Sequence, residues 1–284
     1  MKKILLSLTV LLLLVGCTSA TIKPVSNESL FTINGKTITE ADVFQSMHIS
    51  TTSIDLVKSE AEKALINVLV KDDARLNTKI EELIKTVKDA LGDNFELFLS
   101  ENGFANEQAY IDAIVKDTAK LDILLENVMA DDYAALTKYR PRQVRIVETT
   151  KEDSDAALAL AKTGVSLEAV HAEYGREGAV NDGSVVVVSE LSTLNTAPLD
   201  ILLNATENGL IDEAVANSSS AVYYILEVVE LDVEAVKDAA VAIFAQDSKL
   251  SESYLSKLFI EHKFKLYDQS LLDSFKTNYP DYIK

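Results

Sequence analysis

The chain contains no tryptophan, only one cysteine and three histidines, and its 27 basic residues are outnumbered by 45 acidic ones. With Cys17 alone there is no disulfide within the chain, so stability has to come from a hydrophobic core. His48, His171 and His262 lie far apart and none falls near a cysteine; a zinc site needs several nitrogen or sulfur ligands, so no metal is expected. His48 and His262 fall near predicted helix C-termini, where a partial positive charge is favourable. The nine glycines occur singly, which leaves no phosphate-cradling loop, and no GxSxG marks a nucleophile. No cofactor motif is present. A net charge of −18 disfavours nucleic acid and anionic lipid headgroups as partners. Internal repeats and low-complexity tracts are also missing.

What is present is a globular composition: 284 residues, 48% hydrophobic and 25% charged, enough for about two domains. Met1-Lys2-Lys3 forms a positive start, and Ile4 to Val15 is an apolar run broken only by Ser7 and Thr9. That run is shorter than the ~20 residues a membrane-spanning helix needs and suits a secretory signal. It ends in Leu14-Val15-Gly16-Cys17, the pattern of a bacterial lipobox. Residues 1–16 therefore read as a lipoprotein signal peptide, and Cys17 as the lipidated residue that anchors the mature chain to a membrane. Loss of Lys2 and Lys3 leaves 25 basic against 45 acidic residues, so acyl chains and not a basic patch must hold the anchor. Residues 17–30, rich in serine and threonine with Pro24, read as a tether.

Ordered structure begins at FTINGKTITEADVF. Phe31 and Ile33 alternate, Asn34-Gly35 is a hairpin signal, and Thr39 with Asp42 suits the N-terminus of a helix carrying Val43, Phe44 and Met47. Apolar stripes follow: Ile54, Val57, Ala61, Ala64, Leu65, Val68 and Leu69, then Leu76, Ile80, Leu83, Ile84, Val87 and Leu91, stopped by Gly92. A short piece bears Phe95, Phe98 and Leu99 and closes at Asn102-Gly103. Asn106 can cap a long helix bearing Tyr110, Ile111, Ile114, Leu121, Leu124, Leu125, Val128 and Tyr133, which Pro141 ends.

From residue 141 to 230 the pattern becomes β-α-α-β-α-β. Val144, Ile146 and Val147 predict a strand, Ala156 to Lys162 a helix closed by Gly164, and Ser166 a cap for a second helix with Leu167, Val170 and Tyr174. Val185 to Val188 predict a strand, Pro198 to Asn208 a helix followed by Gly209, and Val222 to Val229 the last strand. Helical spacing returns at Val236, Ala240, Ile243 and Phe244, at Leu250 to Phe259, and at Leu271, Leu272 and Phe275. The fold class is thus α+β.

That succession, a lipobox, a helical segment, a small α+β module and a helical close, resembles the PrsA-type foldase lipoproteins. These are extracytoplasmic chaperones, akin to the SurA-like family, built around a parvulin-type peptidyl-prolyl isomerase domain. INGKTITEADVF, GDNFELFLSENGFANEQAYIDAI, LAKTGVSLEAVHAEYG and FKLYDQSLLDSF carry the likeness by their order and spacing. It implies a helical chaperone body made of residues 31–140 and 231–284, with 141–230 inserted as a parvulin-like domain. It also implies where a site would lie. The family's first strand carries a histidine in a SHIL-like run; here the strand reads Gln143 to Glu148, with Arg145 and no histidine. The family's YHIIKV strand aligns with Tyr223 to Val228, so Tyr224, next to Tyr223, stands where a second histidine is expected. Glu177 keeps the acid usual after the second helix. The glycine-rich turn is reduced to Asp182-Gly183-Ser184-Val185, and Val185 and Leu199 stand at substrate-pocket positions.

The resemblance implies a membrane-anchored foldase for secreted proteins, with unfolded or partly folded polypeptides as partners and prolyl isomerase activity weakened or lost with the histidines. It also admits a homodimer. Two other readings stand beside it: an active isomerase using Tyr224 and Glu177 in altered roles, and a solute-binding or adhesive lipoprotein reusing the scaffold.

Overall fold

The computed structural model describes residues 28–33, 36–48, 51–217 and 221–283. Cys17, the expected signal peptide, most of the expected tether and the Asn34-Gly35 pair lie outside them. The first elements are strands β1 (Ser29–Ile33) and β2 (Lys36–Thr39), antiparallel with Ile33 opposite Lys36. Helix α1 (Glu40–His48) then starts as Thr39 and Asp42 predict. The Asp42 N–H donates to Thr39 Oγ1 at 3.2 Å, and the Thr39 N–H and hydroxyl both donate to Asp42 Oδ2 at 2.9 Å. Two backbone donors that no helical carbonyl can reach are satisfied in this way.

Helices α2 (Thr51–Leu69), α3 (Ala74–Leu91) and α4 (Phe95–Glu101) follow, then α5 (Glu107–Tyr110), capped by Asn106, whose Oδ1 accepts from the Ala109 N–H at 2.9 Å. A widened turn, Ile111–Val115, leads into α6 (Lys116–Asp131) and the short α7 (Tyr133–Leu136). Spacing predicts Ile114 and Val128 on the buried stripe, but Val115 and Met129 are buried and Ile114 is exposed. A turn closed by i→i+5 bonds fits an extra residue, which turns Ile114 outward and Val115 inward, while Leu124, Leu125 and Tyr133 stay buried as the spacing predicts. In α2, Leu65 is buried as the spacing predicts, while Val68 is exposed; Ile66, and Val70 just past the helix end, are buried as well. Gly92, Gly103 and Gly164 all have positive φ where helices stop, and Arg140 (φ 52°) takes the left-handed turn before Pro141.

The α+β module contains β3 (Arg142–Thr150), α8 (Ser154–Lys162), α9 (Leu167–Tyr174), β4 (Asp182–Val188), α10 (Thr196–Asn204) and β7 (Val222–Glu230). Ser166 caps α9, its Oγ accepting from the Ala169 N–H at 3.3 Å. Two short strands, β5 (Gly209–Leu210) and β6 (Val215–Ala216), both pair with β7. Helix α10 ends at Asn204, short of the predicted Asn208, and Gly209 serves a strand instead of a helix terminus. The sheet runs β4-β3-β7-β5, and every pairing is antiparallel.

Strand alternation divides the sheet into two apolar faces. Val144, Ile146, Tyr224, Leu226 and Val228 pack with Leu202 of α10 on one side. Val147 and Ile225 pack with Ala157, Ala161, Leu167 and Val170 of α8 and α9 on the other. The closing helices are α11 (Lys237–Phe244), α12 (Ser248–Glu261) and α13 (Gln269–Asn278).

The fold is α+β, mainly helical, and it divides into two units. One contains residues 74–254, the other the described residues up to Asp73 together with Leu255 onward. In the first, α6 packs against both α3 and α11. Tyr133 donates to the Val233 carbonyl at 2.6 Å, and Tyr254 to Asp132 Oδ2 at 2.7 Å. In the second, α13 packs on α2: Tyr279 donates to Asp55 Oδ1 at 2.6 Å, and Lys58 lies over the rings of Tyr279 and Tyr282. Phe259, Phe264 and Phe275 complete an aromatic cluster with those tyrosines.

Candidate functional site

In the unit of residues 74–254, a cleft of about 700 Å³ opens where the β3–β7 face of the sheet meets the loop before α10 and the end of α11. Ile146, Val188, Tyr224 and Phe244 contribute buried surface to it, while Val180, Val186 and Ile243 present exposed apolar surface. Apolar groups left in water at a concave surface favour an apolar partner.

Among its polar lining residues, Tyr224 and Glu148 are both buried and hydrogen-bonded. Tyr224 of β7 is buried, and its hydroxyl oxygen accepts from Asn195 Nδ2 at 2.6 Å. A phenol that accepts in this way keeps its own proton to donate. Glu148 of β3 sits directly opposite Tyr224 in the sheet register. Its Oε1 accepts from Asn181 Nδ2 at 2.7 Å, and its Oε2 accepts from Arg176 Nε at 2.8 Å and from Nη2 of the same guanidinium. Burial pushes the Glu148 carboxyl up; the Asn181 and Arg176 hydrogen bonds and the guanidinium charge outweigh it, so the net direction is down. The backbone ties the same loop down, because the Arg176 N–H donates to the Glu148 carbonyl at 3.0 Å. This cluster is a buried, charge-compensated brace holding the α9–β4 loop against β3.

Of the positions that the sequence singles out, only Tyr224 lines the cleft. Arg145 and Tyr223 project to the opposite face, since side chains alternate along a strand. Arg145 there faces Glu227 at 3.5 Å and Glu168 at 3.8 Å. Glu177 is exposed on the loop, with its carbonyl accepting from Arg176 Nη1 at 3.4 Å. Val185 is exposed on β4 opposite Arg145, and Leu199 packs half-buried against the cluster around Leu202. Glu148, Asn181 and Asn195 belong to no motif in the sequence. The signal for Glu148 was there to read: a carboxylate two residues beyond Ile146 in a strand with a buried face needs a cation or amide brought from elsewhere. Among the described residues no histidine lines the cleft, and no group of His, Cys, Asp and Glu could hold a metal. Nor is any described helix long and apolar enough to cross a membrane.

No family model matches the chain, and no curated protein does. Among solved structures it is similar to foldase protein PrsA from Streptococcus pneumoniae str. Canada MDR_19A, with 15% identity, covering 90% of this chain and 100% of that one at a TM-score of 0.47. PrsA from Bacillus subtilis is 14% identical over 88% of this chain and 98% of its own, TM-score 0.49. Foldase protein PrsA from Lactococcus lactis is 18% identical over 89% and 99%, TM-score 0.45.

Proposed function

We propose that this chain is an extracytoplasmic foldase or holdase, tethered by lipid at Cys17, that binds non-native segments of secreted proteins. Residues 141–230 are its parvulin-like module, and residues 31–140 and 231–284 its helical chaperone parts. The observation that carries the reading is the cleft, with exposed Val180, Val186 and Ile243 around a buried Tyr224–Asn195 pair and a neutralised Glu148. Such a surface suits short-lived contact with apolar side chains of many sequences and requires no reaction. Purified mature protein should slow the aggregation of an unfolded client in proportion to its concentration; no effect on any client tested would remove the proposal. The lipid anchor has its own test: metabolic labelling with a fatty acid, expected for the natural chain and absent in Cys17→Ala.

A second reading is favoured by one feature. Tyr224 lines the cleft and its hydroxyl oxygen accepts from Asn195, which leaves the hydroxyl proton available to a substrate carbonyl. Prolyl isomerisation must cross a barrier of about 18–20 kcal/mol, and a donor that binds the twisted amide better than the planar one lowers it. With no histidine in the cleft, we expect a rate close to the uncatalysed one in a protease-coupled proline-peptide assay. A clear acceleration that Tyr224→Phe abolishes would establish the isomerase instead.

A further inference from the structure

Strand β4 is the outermost strand of its sheet, and its character is unusual for that place. It pairs with β3 on one side, while among the described residues no backbone–backbone hydrogen bond reaches the other side of Val185, Val186 or Val187. Exposed sheet edges are normally blunted by lysine, proline or a cover, because unpaired N–H and C=O groups template a further strand. Here the edge carries four consecutive valines, and Val185 and Val186 are exposed. Val186 also lines the cleft, so edge and cleft form one surface.

Charge narrows the choice of occupant. Between Arg176 and Lys237 there is no lysine, arginine or histidine, but there are eleven carboxylates. Asp182 opens β4 and Glu190 follows it, and among the described residues the charged ones lining the cleft are Glu148 and Asp247. Cations from elsewhere meet some of these acids: Arg140 pairs with Glu190, Arg145 with Glu227, Lys162 with Asp212, and Arg176 with Glu148. The remainder leaves the module strongly negative. A second copy, itself carrying a net charge of −18, is repelled from such an edge.

We infer that the outer edge of β4 takes up an extended segment of a non-native polypeptide as an added strand, and that it selects segments in which lysine or arginine accompanies apolar residues. This deepens the client-binding reading and rests on it. Main-chain pairing gives tolerance of sequence, alternate apolar side chains enter the cleft beside Val186, and the acidic surroundings supply the preference for cations.

The test uses the mature chain and a fluorescent ten-residue peptide of alternating valine and lysine. Two comparison peptides have glutamate for lysine, or methyl groups on alternate backbone amides that block pairing but keep the side chains. We expect each change to weaken binding at least tenfold, the glutamate penalty to shrink as salt rises, and the parent peptide to slow hydrogen exchange at Val185–Val187. Val186→Lys should weaken binding similarly without altering the circular dichroism spectrum. Aggregation of an unfolded client is followed alongside. If the chain protects the client but binds the methylated peptide as tightly as the parent, strand addition is overturned while the holdase reading stands. Equal affinity for the glutamate peptide overturns the cationic preference. Dimerisation abolished by Val186→Lys, with no peptide bound, assigns the edge to a second copy and overturns the inference. Neither protection nor binding removes both readings together.

Discussion

At Glu148, burial and hydrogen bonding act in opposite directions, and hydrogen bonding wins. Because its carboxyl is held below the ordinary value in the folded chain, the stability it contributes is fully present above the unfolded pKa of about 4.3. That stability is lost as pH falls through the lower folded value. Replacing Glu148 with glutamine removes the charge opposite Arg176 and should cost about 1–3 kcal/mol at pH 7. The gap in melting temperature between the two proteins should then close below pH 4; a gap independent of pH would show that the brace is not electrostatic. Tyr224→Phe leaves the Asn195 amide without its acceptor and should cost about 1 kcal/mol, read by denaturant unfolding. At this scale the sequence was legible in part. Tyr224 lies in the cleft because it shares a strand face with Leu226 and Val228, a period-two inference available from the residues alone. Applied to Arg145 and Tyr223, the same rule puts both on the other face. Asn195 and Asn181 come from loops, whose paths no periodicity encodes.

Among the elements, caps and stops were the most legible, because each is a local matter of unpaired backbone groups. Thr39, Asn106 and Ser166 cap as their spacing suggests, and Gly164 ends α8 in a conformation that other residues resist. The widened turn at Ile111–Val115 was not legible: it exchanges Ile114 for Val115 in the core, and no residue type marks the extra position. Strands β5 and β6 are two residues each, too short for any pattern, and exist because β7 offers them an edge. Gly183 shows where two elements meet most closely. It has φ +86°, and a Cβ there would lie 2.3 Å from the Leu167 carbonyl, backbone against backbone. Gly183→Ala should destabilise the chain by at least about 2 kcal/mol, with faster exchange at the start of both β4 and α9. Unchanged stability would mean that the two elements separate easily.

For the whole molecule, the question is which distant segments meet. Helical spacing marks Phe275 as core but is silent about its partners, since a stripe defines a face and not what covers it. In the structure Phe275 is fully buried among Phe264, Tyr279 and Tyr282, on a helix that packs against α2 some two hundred residues earlier. Phe275→Ala should cost about 3–5 kcal/mol and accelerate amide exchange in α2 as well as in α13. Acceleration confined to α13 would contradict the packing.

The absence of basic side chains from Glu177 to Val236 has a consequence for anything that digests this protein. Enzymes that cut after lysine or arginine find no bond to attack anywhere in β4, α10, β5, β6 or β7, even if that part of the sheet opens. Trypsin should therefore release the stretch Glu177–Lys237 as one fragment. Exposed to trypsin-like proteases, the chain would keep that wall of its cleft covalently whole.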